Sequence, residues 1–153
     1  MSAITLVLPY PISANRYWAT TTIRGRAITY VTKEAKQFRA DVANIARMAG
    51  LRTPLDGRVA LVLRLYPQRP QDWAKRARKN PDCWDDDVRC IDLGNAEKVL
   101  SDALNGIAWV DDRQLRRIEL IRCEPDGDGR VEVTIEPLQR SLVAPVLFGE
   151  VAA

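Results

Sequence analysis

Carboxylates, an amide and a lysine recur at short spacing in the middle of this chain of 153 residues. Asp92 is followed by Asn95 and Lys98, and the paired carboxylates Asp111 and Asp112 come shortly afterwards. Phosphodiester hydrolysis needs a nucleophilic water and neutralisation of phosphoryl charge, and carboxylate-held Mg²⁺ or Mn²⁺ supplies both. A nearby lysine adds a positive charge where negative charge develops. The pattern therefore indicates a hard divalent cation and phosphate chemistry.

The same residues have ordinary structural interpretations, which the sequence leaves open. Asp92 fits the N-cap of a helix. Lys98 and Asp102 have the spacing of an i,i+4 surface pair, and Asp111 with Asp112 fits a turn. The chain has no histidine, which excludes a Ser-His or Cys-His nucleophile pair. Its three cysteines lack CxxC spacing, so a zinc site is not expected.

Composition and charge fit one globular domain and are compatible with binding to nucleic acid. The hydrophobic fraction of 46% is enough for a single core, and the net charge of +3 allows DNA binding without requiring it. The first residues lack a basic leader, and no apolar run is long enough to cross a bilayer. We therefore expect a cytoplasmic protein with no membrane partner.

The elements that would position these residues follow from hydrophobic periodicity. Apolar spacing predicts two main helices, over residues 34–49 and 93–105. Strands are predicted over residues 4–8, 59–66, 115–123 and 130–135. A short hairpin is expected around Arg24-Gly25-Arg26, and the last two strands are expected to form a second hairpin. The predicted fold class is α/β, a small single domain with a mixed β-sheet packed against two main helices.

Two segments stand apart in composition. Residues 67–88 combine prolines, a basic run, two tryptophans and Asp85-Asp86-Asp87, which predicts a mobile loop inserted before the second helix. The domain is predicted to span residues 1–137, with a C-terminal tail over 138–153.

Basic, polar and aromatic residues form a separate signal for binding to the DNA backbone. The candidate DNA-binding residues are Asn15, Arg16, Tyr17, Arg24, Arg26, Arg69, Lys75, Arg76 and Arg89. The competing interpretation is that these cations only keep the surface soluble.

Several ordered motifs resemble the RusA family of Holliday junction resolvases, which prophages often carry. The matching segments are Leu8-Pro9-Tyr10-Pro11-Ile12-Ser13-Ala14-Asn15-Arg16-Tyr17, Asp92-Leu93-Gly94-Asn95-Ala96-Glu97-Lys98, Asp102-Ala103-Leu104, and Trp109-Val110-Asp111-Asp112 with Gln114. The resemblance runs from about residue 4 to residue 135. It implies a small α/β fold, a homodimer, and Mg²⁺- or Mn²⁺-dependent paired nicking of four-way DNA junctions.

The resemblance also implies site residues. Metal-binding aspartates would be Asp92 and Asp112, the essential lysine would be Lys98, and Asn95 would orient a carboxylate or water. The family motif is Asp-x-Asp-Asn, and here Gly94 replaces the second aspartate.

Three outcomes of that replacement are open. In the first, Asp111 or one of Asp85, Asp86 and Asp87 supplies the missing ligand, with Asp87 as the candidate from that run. In the second, the ion keeps more waters, which Mg²⁺ tolerates. In the third, the protein binds junctions and cuts them poorly. The alternatives to a nuclease are a non-catalytic junction-binding protein and a phage interaction module whose acidic loop contacts another protein.

Overall fold

The computed structural model describes residues 2–139, and its central element is strand β4 (Arg58–Tyr66). This strand is almost entirely apolar, and it pairs on both sides in a four-stranded sheet of order β1-β6-β4-β5. The other strands are β1 (Ile4–Pro9), β5 (Leu115–Arg122) and β6 (Arg130–Leu138). The prediction that residues 59–66 form a central strand is confirmed, because β4 pairs with β5 along one edge and with β6 along the other.

The hairpin predicted from the last two strands is wrong. β5 pairs in parallel with β4, whereas β6 pairs antiparallel with the opposite edge of β4. The turn residues between them reverse the chain as expected, but the reversal carries it past β4. A local turn signal predicts that the chain changes direction, but it does not predict which strand the returning segment pairs with. Here β6 pairs with β4, the more apolar strand.

One face of the sheet is covered by two helices, as predicted. Helix α2 (Lys33–Met48) begins at Thr32, whose hydroxyl accepts a hydrogen bond from the Ala35 amide, and α4 (Leu93–Leu104) begins at Asp92. Their apolar stripes join the inward side chains of the strands in one core. The parallel pair β4 and β5 needs a long crossover connection, and α4 lies within it.

A second sheet has only two strands, β2 (Trp18–Ile23) and β3 (Arg26–Val31). They follow the short helix α1 (Ala14–Tyr17) and turn at Arg24 and Gly25, whose φ angles of 50° and 77° are those of a two-residue type I′ turn. The hairpin predicted at this turn is confirmed.

The segment over residues 67–88, predicted as a mobile loop, contains regular structure that the prediction missed. The segment contains helix α3 (Trp73–Lys79), and the Trp84 side chain is buried, with its indole N–H donating to Glu124 at 2.6 Å. The prolines of the segment suggested a loop, but they flank α3 and do not interrupt it.

The predicted end of the domain at residue 137 falls one residue before the last residue of β6. Apart from residues 138 and 139, the predicted tail over 138–153 lies outside the described residues. Within the described part of the chain, no helix has the length and apolar character needed to cross a bilayer.

Candidate active site

The start of α4 fixes two of the predicted site residues. Asp92 caps the helix by accepting a hydrogen bond from the Asn95 amide at 2.8 Å through Oδ1. Asn95 Oδ1 in turn accepts from the Ala14 amide at 2.6 Å, which ties α4 to α1. Asp92 is exposed, and its Oδ2 has no hydrogen-bond or ion-pair partner within residues 2–139. Capping therefore uses one oxygen of Asp92 and leaves the other available.

Asp92 and Asn95 line a cleft of about 1070 Å³. Part of the lining comes from the segment before α1, including Tyr10 and Ser13, and from Arg16 of α1. Another part comes from the inserted segment 67–88 and the residue that follows it. These lining residues are Gln68, Pro70, Arg76, Asp87, Val88 and Arg89. The cleft thus combines two of the predicted ligand candidates with three of the predicted DNA-binding arginines.

The inserted segment is fastened to the sheet. Arg122, at the end of β5, donates to the carbonyl oxygens of Asp85 at 3.2 Å and Val88 at 3.1 Å. Arg76 forms ion pairs with Asp72 at 2.9 Å and with Asp87 at 3.3 Å. These contacts hold the segment at the cleft, and Asp87, which is largely exposed, lines the same cleft as Asp92.

Tyr10 supports the residues that lead into α4. Its hydroxyl oxygen accepts a hydrogen bond from the Ile91 amide at 2.7 Å. Burial raises the pKa of Tyr10 to about 12, so the phenol is neutral at physiological pH. Sequence reasoning did not single out this tyrosine, although it lies between two prolines in a motif of the resemblance.

Lys98 lies against an aromatic ring on the same side of α4 as Asn95. Its Nζ is 5.4 Å from the centre of the Trp18 ring, which favours a cation. Asn95 and Lys98 are three residues apart and therefore share a helix face. Lys98 and Asp102 do not form the surface pair that their spacing allowed, because Asp102 binds Arg39 and Tyr17 instead.

Tyr17, Arg39 and Asp102 join three helices behind the site. The Tyr17 hydroxyl donates to Asp102, and Arg39 bonds both, with Nε 2.6 Å from the Tyr17 oxygen. Tyr17 is fully buried, and burial together with the bond to Asp102 raises its pKa. The prediction that Tyr17 contacts DNA does not fit this placement. Arg39 gave no signal in the sequence, because a single arginine on a helix is usually solvated.

We expect Asp102→Ala to lower the free energy of unfolding by about 2 kcal/mol, because hydrogen bonds to charged groups contribute about 1.5–3 kcal/mol. The change leaves the buried Tyr17 hydroxyl and Arg39 without their shared acceptor. Urea denaturation followed by circular dichroism measures the loss. Asp41→Ala on α2 is the matched control, and an equal loss in both variants would contradict the role given to Asp102.

The second acidic pair lies in the connection between α4 and β5. Asp111 caps the 3₁₀ turn Asp112–Gln114, and both of its oxygens bind the Arg113 side chain, at 3.2 and 3.1 Å. These hydrogen bonds lower the pKa of Asp111. Asp111 lines a separate hollow of about 420 Å³, beside Gly57 and Arg58. Asp111 as a metal ligand stays a prediction, and it requires the Arg113 pair to open.

Asp112 is oriented by a buried tryptophan. Its Oδ1 accepts a hydrogen bond from the Trp109 indole N–H at 3.0 Å, and Trp109 has no exposed surface. Asp112 itself is exposed, and its second oxygen has no partner among the residues that the structure describes. Like Asp92, Asp112 is fixed through one oxygen and presents the other.

Gln114 holds this connection in place with all four of its hydrogen-bonding positions. Its Oε1 accepts from the amides of Val110 at 2.7 Å and Asp111 at 3.0 Å. Its Nε2 donates to the carbonyls of Leu55 at 2.7 Å and Gly57 at 2.9 Å. The side chain therefore fixes the backbone that carries both acidic residues.

We expect Gln114→Ala to lower the free energy of unfolding by about 2 kcal/mol, because each backbone group left unpaired costs roughly 1–3 kcal/mol where water cannot replace the bond. Gln114→Glu should be nearly as damaging, since a carboxylate cannot donate to the two carbonyls. Thermal unfolding measures both. Gln37→Ala, on the exposed face of α2, is the control. Two variants as stable as this control would mean that Gln114 does not hold the connection.

The remaining predicted DNA-binding residues lie around the cleft or beyond it. Asn15 is exposed on α1, next to Arg16, which pairs with Glu34 at 2.5 Å. The Arg69 guanidinium lies 4.6 Å from the centre of the Trp73 ring. Lys75 is exposed on α3, and Arg24 and Arg26 lie at the tip of the β2–β3 hairpin. Of the nine predicted residues, the structure thus brings Arg16, Arg76 and Arg89 into the cleft.

The donor chemistry at the cleft fits Mg²⁺ or Mn²⁺ held with several waters. Asp92 offers an available oxygen, and Asp87 lines the same cleft. No group of three histidine, cysteine or carboxylate side chains converges on one point in the part of the chain that is described. Mg²⁺ is commonly held by one or two carboxylates together with waters and substrate phosphate. The residues therefore suit an ion that a bound phosphate group helps to hold.

Gly94 leaves space beside Asp92. A Cβ built on Gly94 would meet Asp92 Oδ1 at 3.6 Å, an ordinary van der Waals distance. The backbone there is helical, so a side chain would cause no strain. The position of the missing carboxylate is thus open and adjacent to the ligand candidate.

Comparison with known proteins identifies the relatives of this chain. The family model described as endodeoxyribonuclease RusA matches residues 9–136. The crossover junction endodeoxyribonuclease RusA of Escherichia coli (strain K12) is 30% identical over 140 residues, which cover 88% of this chain and 95% of that protein. The proteins of the same name from Shigella sonnei (strain Ss046) and Enterobacteria phage 82 are each 29% identical with the same coverage.

Proposed function

Because this chain belongs to the RusA family of endodeoxyribonucleases, we propose that it resolves four-way DNA junctions by divalent-metal-dependent hydrolysis of phosphodiester bonds. The observation that carries the proposal is the cleft, whose lining combines an available Asp92 oxygen with the three arginines Arg16, Arg76 and Arg89. Cations along the walls attract the DNA backbone, and the carboxylate admits a metal ion at the phosphate. Solvation of a helix end would not require a cleft of this shape or charge.

We assign Asp92 and Asp112 as the metal ligands, with Asp111 or Asp87 as the additional ligand. Among the described residues, Asp92 and Asp87 line the cleft, whereas Asp111 lines the separate hollow and Asp112 follows it in the chain, so this set requires the two regions to come together when metal and DNA bind. Mg²⁺ or Mn²⁺ bound there would lower the pKa of a water and polarise the phosphoryl group. The protein's own contribution is to fix the ligands. Asp92 is held by the Asn95 amide and Asp112 by the Trp109 indole. Each is thereby restrained while one oxygen stays available.

Lys98 and Asn95 complete the proposed catalytic group. Lys98 supplies positive charge for the scissile phosphate, and the Trp18 ring restrains the ammonium group without neutralising it. Asn95 acts through position, because its side-chain oxygen binds the Ala14 amide and fixes α1 against α4. Arg16 lies in α1 two residues after Ala14, so the same bond helps to fix its position at the cleft.

We further propose that the protein acts as a homodimer in the cytoplasm. A two-fold dimer presents two equivalent clefts, which suits symmetric nicking of two opposed strands of a junction. Sedimentation at several protein concentrations measures the dimer directly, and a monomer at the concentrations that cleave would exclude paired nicking by one complex.

The substrate is tested by comparing a labelled four-way junction with a linear duplex that contains the sequence of one of its arms. In Mg²⁺ or Mn²⁺ we expect symmetric nicks in the junction and none in the duplex. With EDTA we expect binding to the junction without cleavage. Equal cutting of both substrates would replace this function with that of an unselective nuclease.

Gly94 favours a second candidate, a junction-binding protein that does not cut. The family motif has a carboxylate at this position, and the chain lacks it. This candidate predicts gel shifts of the junction, with no nicking over a full series of Mg²⁺, Mn²⁺ and salt concentrations, and no effect of Asp92→Asn.

A further inference from the structure

The β2–β3 hairpin projects from the body of the protein. Its inner end, at Trp18, Ala19 and Val31, is partly buried, whereas all residues from Thr20 to Ile23 and from Arg26 to Tyr30 are exposed. Both faces of this outer part are therefore open. A two-stranded hairpin alone is marginally stable in water, so this surface is suited to being covered in a working complex.

The hairpin carries only positive charge. Between Trp18 and Val31 the chain contains Arg24 and Arg26 and no acidic residue. Both arginines lie at the tip, where the tight turn at Arg24 and Gly25 brings them close together. Threonine hydroxyls line the strands, and one cross-strand pair, Thr20 and Thr29, is within hydrogen-bond distance at 3.2 Å. These groups complement phosphates and base edges.

One face of the hairpin is apolar. The strand register places Tyr30 opposite Ala19, Ile28 opposite Thr21, and Arg26 opposite Ile23. Opposite residues share a face, so Tyr30, Ile28 and Ile23 form a stripe, with exposed fractions of 48%, 42% and 52%. Apolar side chains contact the methyl group of thymine in the major groove of DNA.

The inner end of the hairpin lies at the proposed catalytic helix. Trp18 is the first residue of β2, and its ring is 5.4 Å from Lys98 Nζ. Each strand has six residues, which corresponds to about 20 Å at 3.3 Å per residue. This length spans roughly six base pairs at 3.4 Å per step.

We propose that the β2–β3 hairpin is a β-ribbon that enters a groove of one duplex arm of the substrate, with its tip about six base pairs from the nicked phosphate. The major groove admits a two-stranded ribbon of this kind. The inference rests on the proposed function in taking DNA as the substrate. It adds a contact that the cleft does not make, because the cleft residues and the hairpin tip are different parts of the chain.

Binding of the junction is measured by fluorescence anisotropy in EDTA, over a series of salt concentrations. Removal of both tip arginines, Arg24→Ala with Arg26→Ala, should weaken binding at least about tenfold and reduce the salt slope by about two, because each lost phosphate contact removes about one unit. The matched control is Arg47→Ala with Arg52→Ala, which removes the same charge from the exposed far end of α2 and the loop after it. Equal losses in the two double variants would overturn the proposal.

Hydroxyl-radical footprinting locates the contact. The wild-type protein should protect one arm about six base pairs from the nick, and the Arg24→Ala, Arg26→Ala variant should lose that protection while still protecting the nicked region. Protection confined to the nick in the wild-type protein would also overturn the proposal, and junction cleavage would stand. A wild-type protein that binds no junction overturns both.

A second copy of the chain is the competing occupant of the apolar stripe, and Ile28→Lys separates the two. On a DNA-binding ribbon the substitution leaves sedimentation unchanged. In an interface between copies it disrupts self-association, and that result would overturn the ribbon.

Discussion

Asp92→Asn is expected to reduce junction cleavage by about 10²- to 10³-fold, the usual effect of removing one group that stabilises transition-state charge. The amide keeps the shape of the side chain but gives up the negative charge that a divalent cation requires. Asparagine is as good an N-cap as aspartate, so the bond to the Asn95 amide is retained and the fold should be unchanged. The loss of cleavage would therefore come from weaker catalysis and not from a change in folding.

Binding distinguishes this outcome from general damage. Because the change removes a negative charge from a cleft that receives phosphates, the affinity for the junction in EDTA should stay the same or increase. Asp56→Asn makes the same chemical change at an exposed residue outside the cleft, and it should leave both cleavage and binding unaffected. Full activity in Asp92→Asn would remove Asp92 from the catalytic group.

Gly94→Asp is expected to tighten Mn²⁺ binding by about tenfold or more, which corresponds to about 1.4 kcal/mol, and to increase the cleavage rate. The new carboxylate would start from a Cβ that lies 3.6 Å from Asp92 Oδ1. An acidic residue in the first turn of α4 also interacts favourably with the helix dipole. Two adjacent carboxylates repel each other in the absence of metal, so the gain should depend on the cation.

Gly94→Asn is the matched control for that prediction, because it adds nearly the same atoms without the charge. We expect it to bind Mn²⁺ as the wild-type protein does. Titration calorimetry compares the three proteins. Equal affinities for the Asp and Asn variants would mean that a carboxylate at position 94 does not reach the ion, and that the family motif is not required here.

The sequence was sufficient for the elements that are encoded locally. The carboxylate of Asp92 identifies a helix start because an N-cap depends only on the next three residues. The turn at Arg24 and Gly25 is equally local, since a two-residue hairpin needs only residues that accept positive φ. The central position of β4 followed from its continuous apolar run.

The sequence was insufficient wherever distant parts of the chain compete. The neighbours of β6 are β1 and β4 and not β5, which depends on how all four strands are buried together. Asp102 pairs with Arg39, 63 residues away, in preference to Lys98 on its own helix. Tyr17 is part of a motif of the family, but its side chain is buried, and no local sequence pattern predicts that burial. Convergence of Arg16, Asp87 and Asp92 on one cleft likewise depends on where the inserted segment attaches.

The proposed nuclease function depends on Asp92 holding a divalent cation. Electron paramagnetic resonance tests this most directly, because it measures how much free Mn²⁺ the protein removes from solution. Titration of the wild-type protein in the presence of uncleaved junction should reveal bound Mn²⁺. Asp92→Asn should bind it at least tenfold more weakly, with Asp56→Asn as tight as the wild type. Equal Mn²⁺ binding by the wild-type protein and Asp92→Asn would contradict the role of Asp92 as a metal ligand.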